Sequence, residues 1–177
     1  MGLGIGSLRT QLVNELKQYK PAIVRGNASE IIALAGLWGL EGEAADLSRV
    51  RGVDTTDTVD AARDAAVALA RYTGGAVVVS GEVDLITDGT TVVKSHGGSP
   101  LMSKITGCGC SQGGVLAVYV CVTDPFTAAI CGTAVYNVAG TRAAADAPAS
   151  FKVAFIDELY RATAQDIADN QLELEEA

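Results

Sequence analysis

The sequence has little with which to hold nucleic acid, cross a membrane or staple itself with disulfides. Its 13 Lys and Arg stand against 21 Asp and Glu, for a formal net charge of -8. A phosphate-backbone footprint needs clustered cations, so nucleic acid is excluded as an expected partner and any anion must be gripped locally. No stretch reaches the roughly 18 unbroken apolar residues of a membrane span, and no basic segment followed by an apolar run opens the chain, so a cytoplasmic protein is expected. Aromatics are 5% of the chain and His96 is the one histidine. The four cysteines, Cys108, Cys110, Cys121 and Cys131, crowd into one helix-like stretch. That layout suits free thiols better than a disulfide framework, and a zinc site would need ligands the chain does not supply nearby.

What is present is enough apolar sequence for one core: 177 residues, 49% hydrophobic, which predicts a single domain over 1–177. Ser7 precedes Leu8, Leu12 and Leu16 at helical spacing, and Pro21 ends that helix. Residues 21–24 form a short apolar strand, Arg25-Gly26-Asn27 a polar turn, and Ile31, Ile32 and Leu34 a helix. Residues 36–54, with the lone Trp38, read as a loop in which Trp38 packs on apolar surface. A helix capped by Thr56 or Asp57 carries Val59, Ala62, Ala66, Leu69 and Ala70 and stops at Gly74-Gly75.

The β-branched run Ala76-Val77-Val78-Val79 then predicts a strand covered on both faces. Residues 83–87 and 91–94, split by Asp88-Gly89, predict a hairpin, and 101–105 one more strand. An apolar helix follows Gly107, a second, alanine-rich one continues past Asp124-Pro125 to about Ala145, and Pro148 breaks the chain. Residues 151–168 predict a last amphipathic helix, with the acidic tail to Glu176 as its solvated end. Strands alternating with helices imply an α/β layered fold with a mostly parallel sheet flanked by helices.

Three segments carry chemistry. In Thr106-Gly107-Cys108-Gly109-Cys110-Ser111 the glycines permit close backbone approach, and amides at a helix start aim a positive dipole end at an anion. Gly107, Cys108, Gly109 and Cys110 are thus a candidate anion hole, and the dipole favours a Cys110 thiolate. A glycine-rich turn with a structural thiol is the plainer reading. In Arg25-Gly26-Asn27-Ala28-Ser29-Glu30, Arg25 stands at a strand end, where it would meet a phosphate, and Glu30 could order water around magnesium. The competing reading makes Asn27 and Glu30 a capping box. In Ser80-Gly81-Glu82-Val83-Asp84 a hydroxyl at a strand end could touch a nucleotide phosphate, or the segment is only a turn. His96 reads as a loop residue.

These segments, in this order, resemble the hydroxyethylthiazole kinase family over nearly the whole chain. The words that carry the resemblance are Lys-Pro-Ala-Ile-Val-Arg-Gly-Asn-Ala-Ser-Glu-Ile at 20–31, Arg-Gly-Val-Asp at 51–54, Val-Val-Val-Ser-Gly-Glu at 77–82, Thr-Asp-Gly at 87–89 and Gly-Cys-Gly-Cys at 107–110, joined by Ser-Phe at 150–151 and Phe-Ile-Asp-Glu-Leu-Tyr at 155–160. The resemblance implies a ribokinase-like fold and transfer of the ATP γ-phosphate to the hydroxyl of 4-methyl-5-(2-hydroxyethyl)thiazole, with Mg2+ as cofactor. It implies that Arg25 and Ser80 bind ATP and that Gly107 contacts the thiazole. Asn27 and Glu30 would organise magnesium through water, and Cys110 would stand beside the substrate hydroxyl. It further implies a homotrimer.

The sequence departs from that family at Cys108 and Ser80, where threonine is usual, and at residues 1–6, where an aspartate-bearing turn is usual. The chain thus corresponds to the carboxyl-terminal two-thirds of the family domain. Two other readings stand beside the kinase: a non-catalytic remnant that binds nucleotide or only oligomerises, and another small-alcohol kinase such as a hydroxymethylpyrimidine kinase.

Overall fold

The computed structural model describes residues 7–40 and 59–177. The expectations for the glycine-rich opening, for 51–54 and for a cap at Thr56 or Asp57 lie outside those residues. Helix α1 (Ser7–Leu16) and a 3-10 turn lead to β1 (Ile23–Asn27) and α2 (Ala28–Leu37). A 3-10 turn at Val59–Ala62 opens α3 (Arg63–Thr73), followed by β2 (Ala76–Ser80), β3 (Asp84–Thr87) and β4 (Thr91–Ser95). A further 3-10 helix, Pro100–Lys104, precedes α4 (Cys108–Tyr119), α5 (Pro125–Arg142), α6 (Pro148–Arg161), α7 (Ala164–Ala168) and β5 (Leu172–Glu176).

The five strands form one sheet in the order β1-β2-β3-β4-β5. A mostly parallel sheet was the sequence expectation; among the described residues only β1 and β2 run parallel, and the three other pairings are antiparallel. Connection length explains the parallel pair and the first two antiparallel ones. A parallel pairing needs a crossover, which α2 and α3 provide between β1 and β2, whereas the three-residue links at 81–83 and 88–90 permit only hairpins.

Strand alternation sorts side chains to two faces. Val77, Val79, Leu85 and Val92 face α2 and α3, packing with Ile31, Leu34, Leu69 and Ala70. Ala76, Val78, Ile86 and Val93 face the opposite layer, meeting Leu116 of α4 and Ala129 of α5. Residues 76–79 are 0% exposed, as a strand roofed on both sides requires. Burying each valine contributes on the order of 1.5–3 kcal/mol, so a charge placed at Val78 would break the sheet first. A third cluster, with Tyr136, Phe151 and Phe155, joins α4, α5 and α6. Tyr136 and Phe155 meet edge to face at 4.8 Å.

Three expectations are corrected. Residues 101–105 are not a strand: Ser99 Oγ accepts from the Leu101 amide at 3.3 Å and Pro100 pre-sets a helical turn, giving a 3-10 helix. The last helix is not continuous over 151–168. It begins at Pro148 and ends at Arg161, and Thr163 caps the separate α7 through a capping box with Asp166. The acidic tail is not a helix end. Its Leu-Glu-Leu-Glu alternation has period two, and it pairs with β4 as β5, setting Leu172 against the α4 and α5 layer. Trp38 is buried as expected, its indole N–H donating to the Val13 carbonyl at 3.1 Å.

Candidate active site

Alternation also places the polar residues. On β1, Ile23 packs with the α4 and α5 layer, so Arg25, two residues on, shares its face. Arg25 pairs in register with Val78, and Ser80 follows Val78 by two on β2. Both side chains therefore emerge at the carboxyl ends of the parallel strands, beside the start of α4. The Arg25 guanidinium is held there from two sides: Nε donates to Gln112 Oε1 and Nη2 donates to Ser80 Oγ, each at 3.0 Å. Ser80 Oγ in turn donates to the Gly26 carbonyl at 3.3 Å. A Cβ on Gly109 would fall 2.9 Å from both terminal nitrogens of Arg25, so only glycine lets the cation lie across the first turn of α4.

The turn that opens α4 starts at Gly107, in the left-handed region at φ 88°. The first intrahelical bond runs from the Ser111 amide to the Gly107 carbonyl at 2.9 Å. The amides of Gly109 and Cys110 precede it and point out of the helix start, next to Arg25. The Cys108 amide instead donates to the Ile105 carbonyl at 3.3 Å and closes the turn.

The two cysteines divide sharply. Cys108 is buried and borders the cavity; burial pushes its thiol pKa up, against the opposing influence of Tyr136 and Arg25. Cys110 is exposed and is not among the residues around the cavity.

Two polar clusters line a cavity of about 1000 Å³, the first made of Arg25, Ser80, Cys108 and Gly109. Asp84, Asn137 and the His96-Gly97-Gly98 loop make up the second, and the Arg25 charge still reaches Asp84. Asp84 is buried, accepts from the Gly81 amide at 3.0 Å and from Asn137 Nδ2 at 3.1 Å, and has its carboxyl pKa raised by burial. On the cavity wall Tyr136 donates to the Cys108 carbonyl at 2.6 Å and lies 2.5 Å from Ser111 Oγ; burial pushes its phenol up to about 12. His96 Nε2 is 3.0 Å from Glu173 Oε1 but out of line for a hydrogen bond.

Asn27 and Glu30 form a capping box at the start of α2. Asn27 Oδ1 accepts from the Glu30 amide at 2.9 Å, and Glu30 Oε2 accepts from the Asn27 amide at 3.0 Å. The capping reading is thereby realised. A Cβ on Gly26 would lie 3.2 Å from Glu30 Oε2, so glycine lets this carboxylate fold against the end of β1.

Sequence reading missed Gln112, Asn137 and the Gly97-Gly98 pair as parts of the cavity, and left Asp84 without a role. A signal was available for two of them. Gln112 lies at core spacing between Cys108 and Leu116, and Asn137 interrupts an otherwise small and apolar run of α5. A buried amide in such a position needs partners, and partners imply a polar neighbourhood.

A model of the hydroxyethylthiazole kinase family matches residues 1–165. The chain belongs to that family. Hydroxyethylthiazole kinase of Bifidobacterium longum strain DJO10A is 45% identical over 188 residues, covering 96% of this chain and 60% of the relative. The enzyme of that name from Leptospira interrogans is 41% identical over 162 residues, covering 90% of this chain and 58% of the relative. The structure of the hydroxyethylthiazole kinase protein from Pyrococcus horikoshii OT3 superposes with a TM-score of 0.79 at 26% identity, covering 100% of this chain and 63% of that one. The α/β fold is thus that of a ribokinase-like hydroxyethylthiazole kinase, and the chain spans about 60% of the length of the curated relatives it matches. Among the described residues no helix is long and apolar enough to cross a membrane.

Proposed function

We propose that the chain carries the nucleotide-binding and phosphoryl-transfer portion of a hydroxyethylthiazole kinase, which moves the γ-phosphoryl group of ATP to the hydroxyl of the hydroxyethylthiazole. The observation that carries this reading is Arg25 lying across the start of α4, joined to Ser80 and Gln112. Two turns far apart in sequence thereby present their donors to one anion. No described residue accepts from Arg25 Nη1, whose donors serve phosphate oxygens; Ser80 lies beside it, and the Gly109 and Cys110 amides face charge developing on the transferred group.

Phosphoryl transfer passes through a loose transition state in which positioning and electrostatics dominate, so a weak base suffices. Cys110 takes that role, accepting the alcohol proton as the oxygen attacks phosphorus, and Gly107 contacts the thiazole. Bound magnesium would supply positive charge that offsets the charge of the phosphates. Glu30, one hard carboxylate folded at the end of β1 with Asn27 beside it, fits a water-mediated hold on such an ion, which needs only one or two carboxylates besides phosphate and water. No cluster of three His, Cys, Asp or Glu competes for it among the described residues.

The full site belongs to a homotrimer in the cytoplasm, where ATP is available. Exposed apolar residues on α4 (Val118), in the turn after it (Val122) and on α6 (Val153, Ile156, Tyr160) are consistent with contact surface.

A second reading, nucleotide binding without transfer, is favoured by one observation: Cys110 stands off the cavity wall. A coupled ADP-release assay separates the two. ADP production that depends on the thiazole alcohol supports the kinase. Nucleotide binding without alcohol-dependent ADP supports the second reading, and absence of both contradicts each of them.

A further inference from the structure

On α5, Gly132 and Tyr136 stand one turn apart and so share a face of the helix. A Cβ on Gly132 would fall 2.8 Å from Leu116 Cδ2, so the glycine lets α5 lie close against α4. Tyr136, 2% exposed, uses that closeness. Its ring meets Phe155 edge to face at 4.8 Å, and its hydroxyl reaches the first turn of α4, donating to the Cys108 carbonyl at 2.6 Å.

The hydrogens of this cluster follow from its geometry. Burial pushes the phenol up to about 12, so it is protonated at neutral pH, and its single hydrogen is committed to Cys108. Ser111 Oγ lies 2.5 Å from the Tyr136 oxygen, a separation that two oxygens hold only with a hydrogen between them. Ser111 therefore supplies that hydrogen, its contact with the Cys108 carbonyl being the longer one at 2.9 Å. The result is a directed chain from Ser111 through Tyr136 to the Cys108 carbonyl.

That carbonyl shares one planar trans peptide with the Gly109 N–H, and the two point to opposite sides of the chain. The Cys108 amide is taken by Ile105, so Gly109 carries the first free amide of α4, with no hydrogen bond to any described residue. Arg25 braces the same turn separately, through Gln112 at 3.0 Å. Hydrogen bonds in series polarise one another, so a hydroxyl drawing on the carbonyl strengthens the N–H as a donor and also fixes its direction.

We infer that Tyr136 is a positioning residue for phosphoryl transfer: through the 108–109 peptide it orients and strengthens the Gly109 N–H toward the transferred group, with Ser111 behind it. This rests on reading the start of α4 as the phosphate grip and adds to it the side chain that aims the donor.

The test is nuclear magnetic resonance of the whole chain, labelled in its glycine nitrogens and titrated with Mg-ATP. The Gly109 amide is identified as the signal lost in Gly109→Ala, and in the unaltered chain its proton is expected to move downfield as the nucleotide binds. Tyr136→Phe keeps the ring and its contact with Phe155 and removes only the hydroxyl. It is expected to cut that movement by about half and to weaken Mg-ATP by about fivefold. Ser111→Ala is expected to act in the same direction, by about twofold in affinity. The double variant should do no more than Tyr136→Phe alone, since both act through one chain. A packing role alone would leave the Gly109 movement unchanged in Tyr136→Phe, because phenylalanine fills the same space, and that result overturns the inference. Should Tyr136→Phe misfold by circular dichroism, Ser111→Ala decides in its place, an unchanged Gly109 movement again overturning it. In either case the phosphate grip stands. An unaltered chain that binds Mg-ATP without moving the Gly109 signal, or does not bind it, overturns that reading and the inference with it.

Discussion

The two polar clusters of the cavity wall, the Arg25 end and the Asp84 end of one hydrogen-bonded lining, were assembled by different means, and the difference bears on what each can tolerate. At the Arg25 end the function-bearing groups are backbone amides and one long side chain lying over a glycine, so geometry depends on the absence of atoms. At the Asp84 end it depends on a chain of side-chain hydrogen bonds from Gly81 through Asp84, Asn137 and Ser95 to Asn170. The first should fail through added bulk or lost charge with the fold intact. The second should fail through lost partners, and should couple binding to stability.

The largest effect expected from that contrast is at Arg25. Arg25→Ala should weaken ATP binding by about a hundredfold, since a charged hydrogen-bond donor to phosphate is lost, with little change in the melting temperature. Arg25→Lys should recover only part of this, because an ammonium cannot reach Gln112 and Ser80 at once. Titration calorimetry paired with a thermal melt reads both quantities, and a large drop in melting temperature would show that the end is structural.

Next comes Gly109→Ala. The added methyl would stand where the Arg25 terminal nitrogens now lie, 2.9 Å away, and should push the guanidinium off the helix start. A loss of ATP affinity of about tenfold is expected, with helix stability unchanged or improved because alanine is the better helix former. Gly107→Ala should lower turnover by another route: nothing lies within 4 Å of its Cβ position, so the cost of about 1 kcal/mol is backbone strain at φ 88°.

The cysteines sharpen the contrast further. Cys108→Asp would bury a carboxylate under Tyr136 and should destabilise the fold by about 2–4 kcal/mol in urea melts. Cys110→Asp, at an exposed position, should leave the fold alone and retain or raise thiazole-dependent ADP release. Inert but folded Cys110→Asp protein would remove Cys110 from the proposed chemistry.

The smallest expected effect is the pH dependence at the Asp84 end. Burial raises the Asp84 carboxyl above its ordinary 3.8, so between that value and the raised one the folded chain binds more protons than the unfolded chain. Stability from this group therefore declines as pH rises through that window. Asp84→Asn should flatten the stability profile there, as chemical denaturation at several acidic pH values would reveal. Asp166, held low by Arg142, works in the opposite sense and is lost only in stronger acid.

How much of this could be read from the sequence also differs between the ends. The Arg25 end was legible because it is made of short local words: a strand end with an arginine, and glycines before a helix. The Asp84 end was not, because Asp84, Ser95 and Asn137 lie on three different elements, Asn170 lies in the turn before β5, and no local spacing relates them. Only strand register, which puts Asp84 opposite Ser95, and the packing of α5 against that face bring them together. Among the elements, the β-branched run at 76–79 and the hairpin after it were legible from period and turn chemistry. The tail was misread because acidic residues signal solvent, while the Leu172 and Leu174 alternation that makes it an edge strand is only two residues deep.

The central claim is that Arg25 and the start of α4 grip one and the same phosphate group. Titration of Mg-ATP into the chain and into the double variant Arg25→Ala with Gly107→Ala, which strains the helix start without touching Arg25, alongside each single variant, tests it most directly. A shared phosphate predicts strongly non-additive losses, the double variant binding about as weakly as Arg25→Ala alone. Losses that simply add would mean that the two turns act on separate groups, and would contradict the account.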